Sequence, residues 1–381
     1  MYDSMELDEA ISDLYDIGIK DDTLVLLSKA NRNIKLCVQT PYGLTEPHII
    51  ESVIAQGDSW APLAASVQVD SLGSQLLEEE RKQGSMDLYK YKGEVSIGIL
   101  GMQDDTAAVT LAGTQAHLMN AYMNAQSATK HLRFNSKCKF MNIGAHKDIF
   151  STSSLDVDSW ETKYELDGSC CDIYIGKKEM QHTDEHKYLG FVISSDGTNL
   201  PNILSKQNKS ANIIRQIKCM IECLGTYTFE CAFIYMRSLL RSSILYAAET
   251  YYNLTEKEVQ KIESIEENCL RQILKTGHHC SIALIYLETG WTPARYQIEL
   301  MKLRYLFDIL QHDSNSLLLK FFTAQINNPV KGDWVSEVSS LIKDLCLTFD
   351  DIKLMKQSKF ELLIKNYINQ KAVTYLKNKI K

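Results

Sequence analysis

Between residues 4 and 32, apolar positions recur at Leu7, Ile11, Leu14 and Tyr15, and again at Leu24, Leu27 and Ala30. That three-and-four spacing predicts helix, interrupted at Gly18. The pattern then shortens. "IKLCVQTPYG" (34–43) reads as a strand entering a Pro/Gly turn, and a further short strand, a Gln–Gly loop and a helix from about Pro62 follow. "LYKYKGEVSIGILGMQDDTAAVTLA" (88–112) reads as strands on either side of two adjacent aspartates, Asp104 and Asp105. "TQAHLMNAYMNAQSATKHL" predicts a helix, "RFNSKCKFMNIG" a strand, and residues 164–197 strand-like pieces separated by turns. The expected arrangement joins 34–40, 95–103 and 106–112 in one antiparallel sheet, with helices 62–78 and 114–131 on one face.

After Asn199 the periodicity is helical only. Three long candidates cover 202–224, 228–252 and 255–277. The third opens with Thr255 as N-cap and Glu258 at the capping-box position, and closes at Gly277. A basic amphipathic helix ends the sequence, with Ser358 and Glu361 as its expected capping box. The fold class is therefore α+β: a mixed front of about 200 residues followed by a helical back.

Composition changes this picture little. The chain has 381 residues, 45% of them hydrophobic and 23% charged, with six prolines, as in ordinary globular proteins. No segment reads as a signal peptide or a membrane span, and none of the ten cysteines forms a C-x-x-C pair. The expectation is an intracellular protein with reduced thiols and no membrane partner. Two His/Cys groupings, Cys170 and Cys171 with His182 and His186, and Cys269 with "HHC" at 278–280, lack the spacing of known zinc fingers. Charge is uneven: residues 1–130 carry a net −10 and the remainder +3. That balance alone does not make a strong nucleic-acid binder.

The acidic pair has two readings. A tight turn between strands can simply be acidic. Alternatively, tandem carboxylates at the end of a hairpin hold a hard cation such as Mg²⁺, relieving their mutual repulsion.

The order of motifs adds to this. "IAQGDSWAPL", "GILGMQDDTAAV", "LRFNSKCKFMNIG" and "HKYLGFVISSDG" follow one another, and then come "RSSILYAAETYYNLTEKEVQKIESIEENCLRQIL" and "YLETGWTPARYQIELMKLRYLFDIL". This succession, from Met1 to about Trp334, resembles the reverse transcriptases of non-LTR (LINE-type) retrotransposons. The resemblance implies a partial right-hand polymerase palm over 1–145, the end of the palm with a primer-grip-like hairpin over 146–199, and a helical thumb and C-terminal region over 200–381. By position it implies Asp104 and Asp105 as metal-binding catalytic carboxylates, and Lys137 as proton donor or phosphate contact. Gln56 and Gly57 match the nucleotide-side loop, Tyr2 the aromatic that screens the sugar 2′ position, and Gly190 the primer-grip glycine. The implied reaction is attack of a primer 3′-OH on a nucleotide α-phosphate, with Mg²⁺ or Mn²⁺ as cofactor and an RNA template and DNA primer as partners. Two departures matter. Gln103 stands where the family has a small residue, and the first catalytic carboxylate of the family would fall before Tyr2, outside these residues. The expectation is therefore a polymerase by descent that is inactive as this stretch of chain. The alternative is a non-enzymatic retroelement-derived module that binds nucleic acid or protein.

Overall fold

The computed structural model describes residues 7–20, 22–52, most of 60–67, short strand segments between 89 and 179, 181–223 and 229–380. The chain divides into two compact units, one of Met1–Asn142 with Phe150–Thr183 and one of Ile143–Ile149 with Asp184–Lys381. Among the described residues the structure is mixed α+β, mostly helical, with small sheets of two strands each.

In the first unit, α1 (Leu7–Asp16) and α2 (Asp22–Ala30) are separated where the pattern broke, and Gly18 takes φ +99°. A non-glycine residue there would be strained. Leu7 and Ala10 bury against Ala61 and Ala64, with Ile11 and Trp60 packed alongside. The strands are β1 (Arg32–Leu36), β2 (Gln39–Thr40), β3 (Gly43–Leu44), β4 (His48–Ser52), β5 (Tyr89–Tyr91), β6 (Val95–Ile97), β7 (Ile99–Met102), β8 (Asp105–Ala108), β9 (Lys139–Phe140), β10 (Tyr174–Ile175), β11 (Lys178–Glu179) and β12 (Gln181–His182). Their pairings differ from the single expected sheet. β1 pairs antiparallel with β4, while β7 pairs with β8. The cause in the first case is local. The chain between β1 and β4 turns back on itself through β2 and β3, fixed by Thr45 Oγ1 accepting from the Val38 amide at 2.9 Å and by Thr40 Oγ1 donating to the Gly43 carbonyl at 2.8 Å. β9 and β12 pair in parallel.

The second unit opens with a hairpin, β13 (Glu185–Tyr188) and β14 (Phe191–Ser194), followed by helices. These are α3 (Leu200–Cys223), α4 (Phe229–Tyr235), α5 (Glu256–Leu274), α6 (Ile282–Thr289), α7 (Ala294–Gln311), α8 (Leu317–Asn327), α9 (Trp334–Asp344), α10 (Phe349–Leu354) and α11 (Gln357–Ile380). One buried cluster gathers Ile203, Met236, Leu240, Tyr251, Leu270 and Trp291. A second gathers Leu303, Leu306, Val338, Phe360, Ile364 and Ile368. Burying one such side chain is worth roughly 1.5–3 kcal/mol.

Helix ends show what local pattern can and cannot fix. The capping box at Thr255 and Glu258 forms as expected. The same helix ends at Leu274, before Gly277: Lys275 takes φ +50°, and its amide reaches back to the Arg271 and Gln272 carbonyls. The capping box expected at Ser358 is absent. α11 starts at Gln357, so Ser358 already lies in its first turn, and Glu361 is engaged by Arg304 from α7. The helix expected over 228–252 is broken as well. After α4 comes a π-helical turn, Met236–Arg241, then one α-turn, Ser242–Ile244. The chain then reverses at Ala247, φ +54°, into the 3₁₀ turn Ala248–Thr250. The hydroxyls of Ser238 and Ser242 donate to the carbonyls of Ile234 and Ser238; this back-bonding bends helices.

Candidate nucleic-acid interface

The residues singled out by sequence are unevenly placed. Tyr2, Gln56, Gly57, Asp104 and Lys137 lie outside the described residues. Asp105 begins β8 and pairs with Met102, next to the reversal of an antiparallel hairpin. Gly190 sits in the turn between β13 and β14. Of the zinc candidates, Cys269 is buried in the first apolar cluster, where burial pushes its thiol up to about 12. No three metal-ligating side chains converge among the described residues. No described helix is long and apolar enough to cross a membrane.

Gly190 is where the geometry becomes informative. Tyr188 and Phe191 close the hairpin, and the two residues between them, Leu189 and Gly190, have φ +47° and +84°. Two positive φ values make the tight turn whose twist matches paired strands. Tyr246 covers this turn. Its Oη donates to the Leu189 carbonyl at 2.8 Å, and a Cβ on Gly190 would lie 3.2 Å from its ring. Glycine is therefore required twice here, by conformation and by close approach.

Behind Tyr246 runs a buried polar chain. The Val192 amide of β14 donates to Asn202 Oδ1 at 3.2 Å, and Asn202 Nδ2 donates to Tyr251 Oη at 2.9 Å. Lys206 Nζ donates to the same Tyr251 Oη at 2.8 Å and to the Tyr246 carbonyl. Asn202 and Lys206 are one turn apart on α3, so one helix face carries both links. Burial lowers the Lys206 ammonium to about 8, despite the opposing pull of Glu249. Burial, with Glu249 and Glu258 adding to it, raises the Tyr251 phenol against the Asn202 hydrogen bond. A second clamp holds the far end of the hairpin. Asn199 Nδ2 donates to the Tyr252 carbonyl at 2.8 Å, and Tyr252 Oη donates to the Gly197 carbonyl at 2.9 Å. The 246–252 segment thus grips the hairpin at its turn and at its exit.

Next to the turn the surface is rich in arginine. Arg237 and Arg241 come from the π-helical turn and Arg304 from α7, and all three line one cleft with Tyr246. Arg241 is fixed in place. It forks onto Glu266 at 2.6 and 3.0 Å, donates to the Thr292 carbonyl at 2.6 Å, and lies 3.9 Å from the Trp291 ring centroid. Glu266 is fully buried, so that pair holds the turn in register. An arginine-lined surface beside an exposed aromatic ring is suited to a phosphodiester backbone and its bases.

No family model matches this chain, and no curated protein matches it.

Sequence reasoning singled out Gly190 but not its neighbours in this arrangement, Tyr246, Tyr251, Asn202, Lys206 and Arg237. Two signals were available: polar Asn202 and Lys206 one turn apart beside apolar Ile203, and arginines four residues apart at 237 and 241. Neither points to a partner without the tertiary structure.

Proposed function

We propose that the chain is a reverse transcriptase of the LINE type by descent, and that its hairpin and helical unit hold a nucleic-acid strand. The observation that carries this reading is the seating of the Leu189–Gly190 turn on Tyr246. Gly190 matches the primer-grip glycine. Tyr246 stands in "RSSILYAAETYY", which resembles the start of the thumb. Two motifs far apart in sequence meet beside a row of arginines, as a surface that steadies a primer end requires.

The tandem aspartates remain part of the proposal. The β7–β8 hairpin supports their assignment, because it brings Asp105 to a chain reversal. Mg²⁺ or Mn²⁺ held by Asp104 and Asp105 would stabilise the attacking and leaving oxygens of nucleotidyl transfer. The second reading, a non-enzymatic module that binds nucleic acid, is favoured by the same cleft and turn, which can bind without catalysing.

The test is binding of a fluorescent DNA primer annealed to an RNA template, followed by anisotropy. Gly190→Ala, forced against the Tyr246 ring, is expected to weaken binding severalfold while the fold persists. Absence of binding by the wild-type chain would overturn the proposal. Calorimetry with Mn²⁺ separates the two readings: weak binding lost in Asp104→Asn supports the polymerase, and no binding supports the module.

A further inference from the structure

The arginine cleft has a volume of about 500 Å³ and is lined by Arg237, Arg241, Tyr246, Glu249, Gln297 and Arg304. Small-ligand pockets span roughly 300–1,000 Å³. Its charges are not equally available. Arg241 forks onto Glu266, and Arg304 Nε donates to both oxygens of Glu361 at 3.1 Å. Arg237 is exposed, has no carboxylate partner among the described residues, and has its guanidinium 5.7 Å from the Trp291 ring centroid. Glu249 lines the same cleft, yet its carboxylate accepts no hydrogen bond from any described residue, and its Oε2 is buried. Its acid does not pair with the arginines beside it. Its own backbone is held, since Trp334 Nε1 donates to the Glu249 carbonyl at 2.6 Å.

The Lys206 ammonium attracts this acid without a hydrogen bond to it, and a buried carboxylate oxygen with no donor is costly unless something supplies an N–H or O–H. The exposed Arg237 guanidinium, which lines the same cleft without a carboxylate partner among the described residues, can take an anion. Tyr246, about half exposed, adds a ring face on which a base can stack. Anion, hydrogen-bond donor and flat ring in one small volume describe a nucleotide.

We infer that this cleft seats one nucleotide unit of the bound strand, its phosphate on Arg237, its base against Tyr246, and a donor of its sugar or base on Glu249. The inference rests on the nucleic-acid reading above and names the chemistry of that contact. The donor is either a ribose 2′-OH or an exocyclic base amine. The two sources differ in which strands the cleft prefers.

The experiment uses the full chain and three labelled homopolymers of equal length: oligo(rU), oligo(dU) and oligo(dC). The first pair differs by the 2′-OH and the second by the base amine. Arg237→Gln is expected to weaken all three by roughly the same factor, several-fold to tenfold, and to lower the salt slope. Glu249→Met removes the acceptor. It is expected to collapse either the rU:dU preference or the dC:dU preference of the wild type by roughly fivefold or more, according to the donor. Either collapse supports the inference. If the wild type binds and Glu249→Met leaves both ratios unchanged, the inference is overturned while the function proposal stands. If the wild type binds none of the three, the function proposal falls and the inference with it. Thermal melts of both variants close to wild type ensure that the ratios report the cleft.

Discussion

Around Tyr251 the interior of the helical unit is polar as well as apolar. Asn202, Lys206 and Ser210 are buried there on one helix, and the chain passes through a π-helical turn and a left-handed alanine close by. Around Phe360 the interior follows simple rules. Phe360, Ile364, Ile368, Ala372 and Leu376 recur every four residues along α11. Phe307 stacks on Phe360 with ring centroids 5.1 Å apart. Most charges of that region lie at its margins, as in Arg304–Glu361 and Lys371–Glu299, but Lys302, 5% exposed, pairs with Glu337 inside it. Buried polar groups and unusual backbone are costly, and they persist where surrounding contacts fix them or function needs them. Several of them in this unit lie at the hairpin clamp and the arginine cleft, while others, such as buried Lys302 with Glu337 and the left-handed Cys346, lie by the second cluster. The region that departs most from local rules is the one that carries the proposed surface. The other region is scaffold.

The largest effect should come from the scaffold. Phe360→Ala removes a side chain that is 2% exposed at the centre of the second cluster. It should cost about 3–5 kcal/mol, read as a lower urea midpoint with unchanged slope. Nucleic-acid binding per folded molecule should stay the same. A loss of binding larger than the loss of folded protein would break the division between scaffold and site.

Tyr251→Phe acts on the other side of the comparison. It deletes the oxygen that accepts from both Asn202 and Lys206. Leaving those donors short of a partner should cost about 2–3 kcal/mol. Unlike Phe360→Ala, it should also loosen the hairpin, seen as faster amide exchange at Val192. Equal exchange in both variants would mean the polar chain does not tie the hairpin down.

Lys206 gives the comparison a pH dependence. Its pKa falls from 10.5 to about 8 on folding. Between those values the unfolded chain binds more protons, so stability rises with pH. The groups facing it are Glu249, Lys209, Tyr251 and the Tyr246 carbonyl. The Tyr251 phenol, raised on folding, acts in the opposite sense only at higher pH. From pH 8 to 9.5 the wild type should gain about 1.5 kcal/mol relative to Lys206→Met, measured by paired urea titrations. A flat difference would show that the ammonium is not desolvated.

The smallest effect separates what sequence could show from what it could not. Thr255→Ala breaks a capping box that forms and should cost about 1 kcal/mol, whereas Ser358→Ala should be within about 0.5 kcal/mol of wild type. Both sites have the same spacing in sequence. Only the first is free to cap, because α11 begins before Ser358 and its Glu361 is drawn to Arg304. The break at Gly18, the helical back half and the hairpin at the acidic pair were legible for the same reason: each follows from residues close in sequence. The clamp was not. Tyr246 and Leu189 are 57 residues apart and Lys206 and Tyr251 are 45 apart, and such partners leave no periodic trace. The π-helical turn was hidden too, because its apolar positions still repeat as a helix. The functional residues matched by resemblance depend on motif order, and of those only Gly190 is seen in a described tertiary contact.

The central claim, that the cleft beside the hairpin turn grips a nucleic-acid backbone, is tested most directly by the salt dependence of binding to a primed RNA template. A phosphate contact releases condensed counterions, so the slope of log affinity against log salt should fall by about one in Arg237→Gln. The account predicts that fall, together with weaker binding at every salt concentration. An unchanged slope and affinity in Arg237→Gln would contradict it.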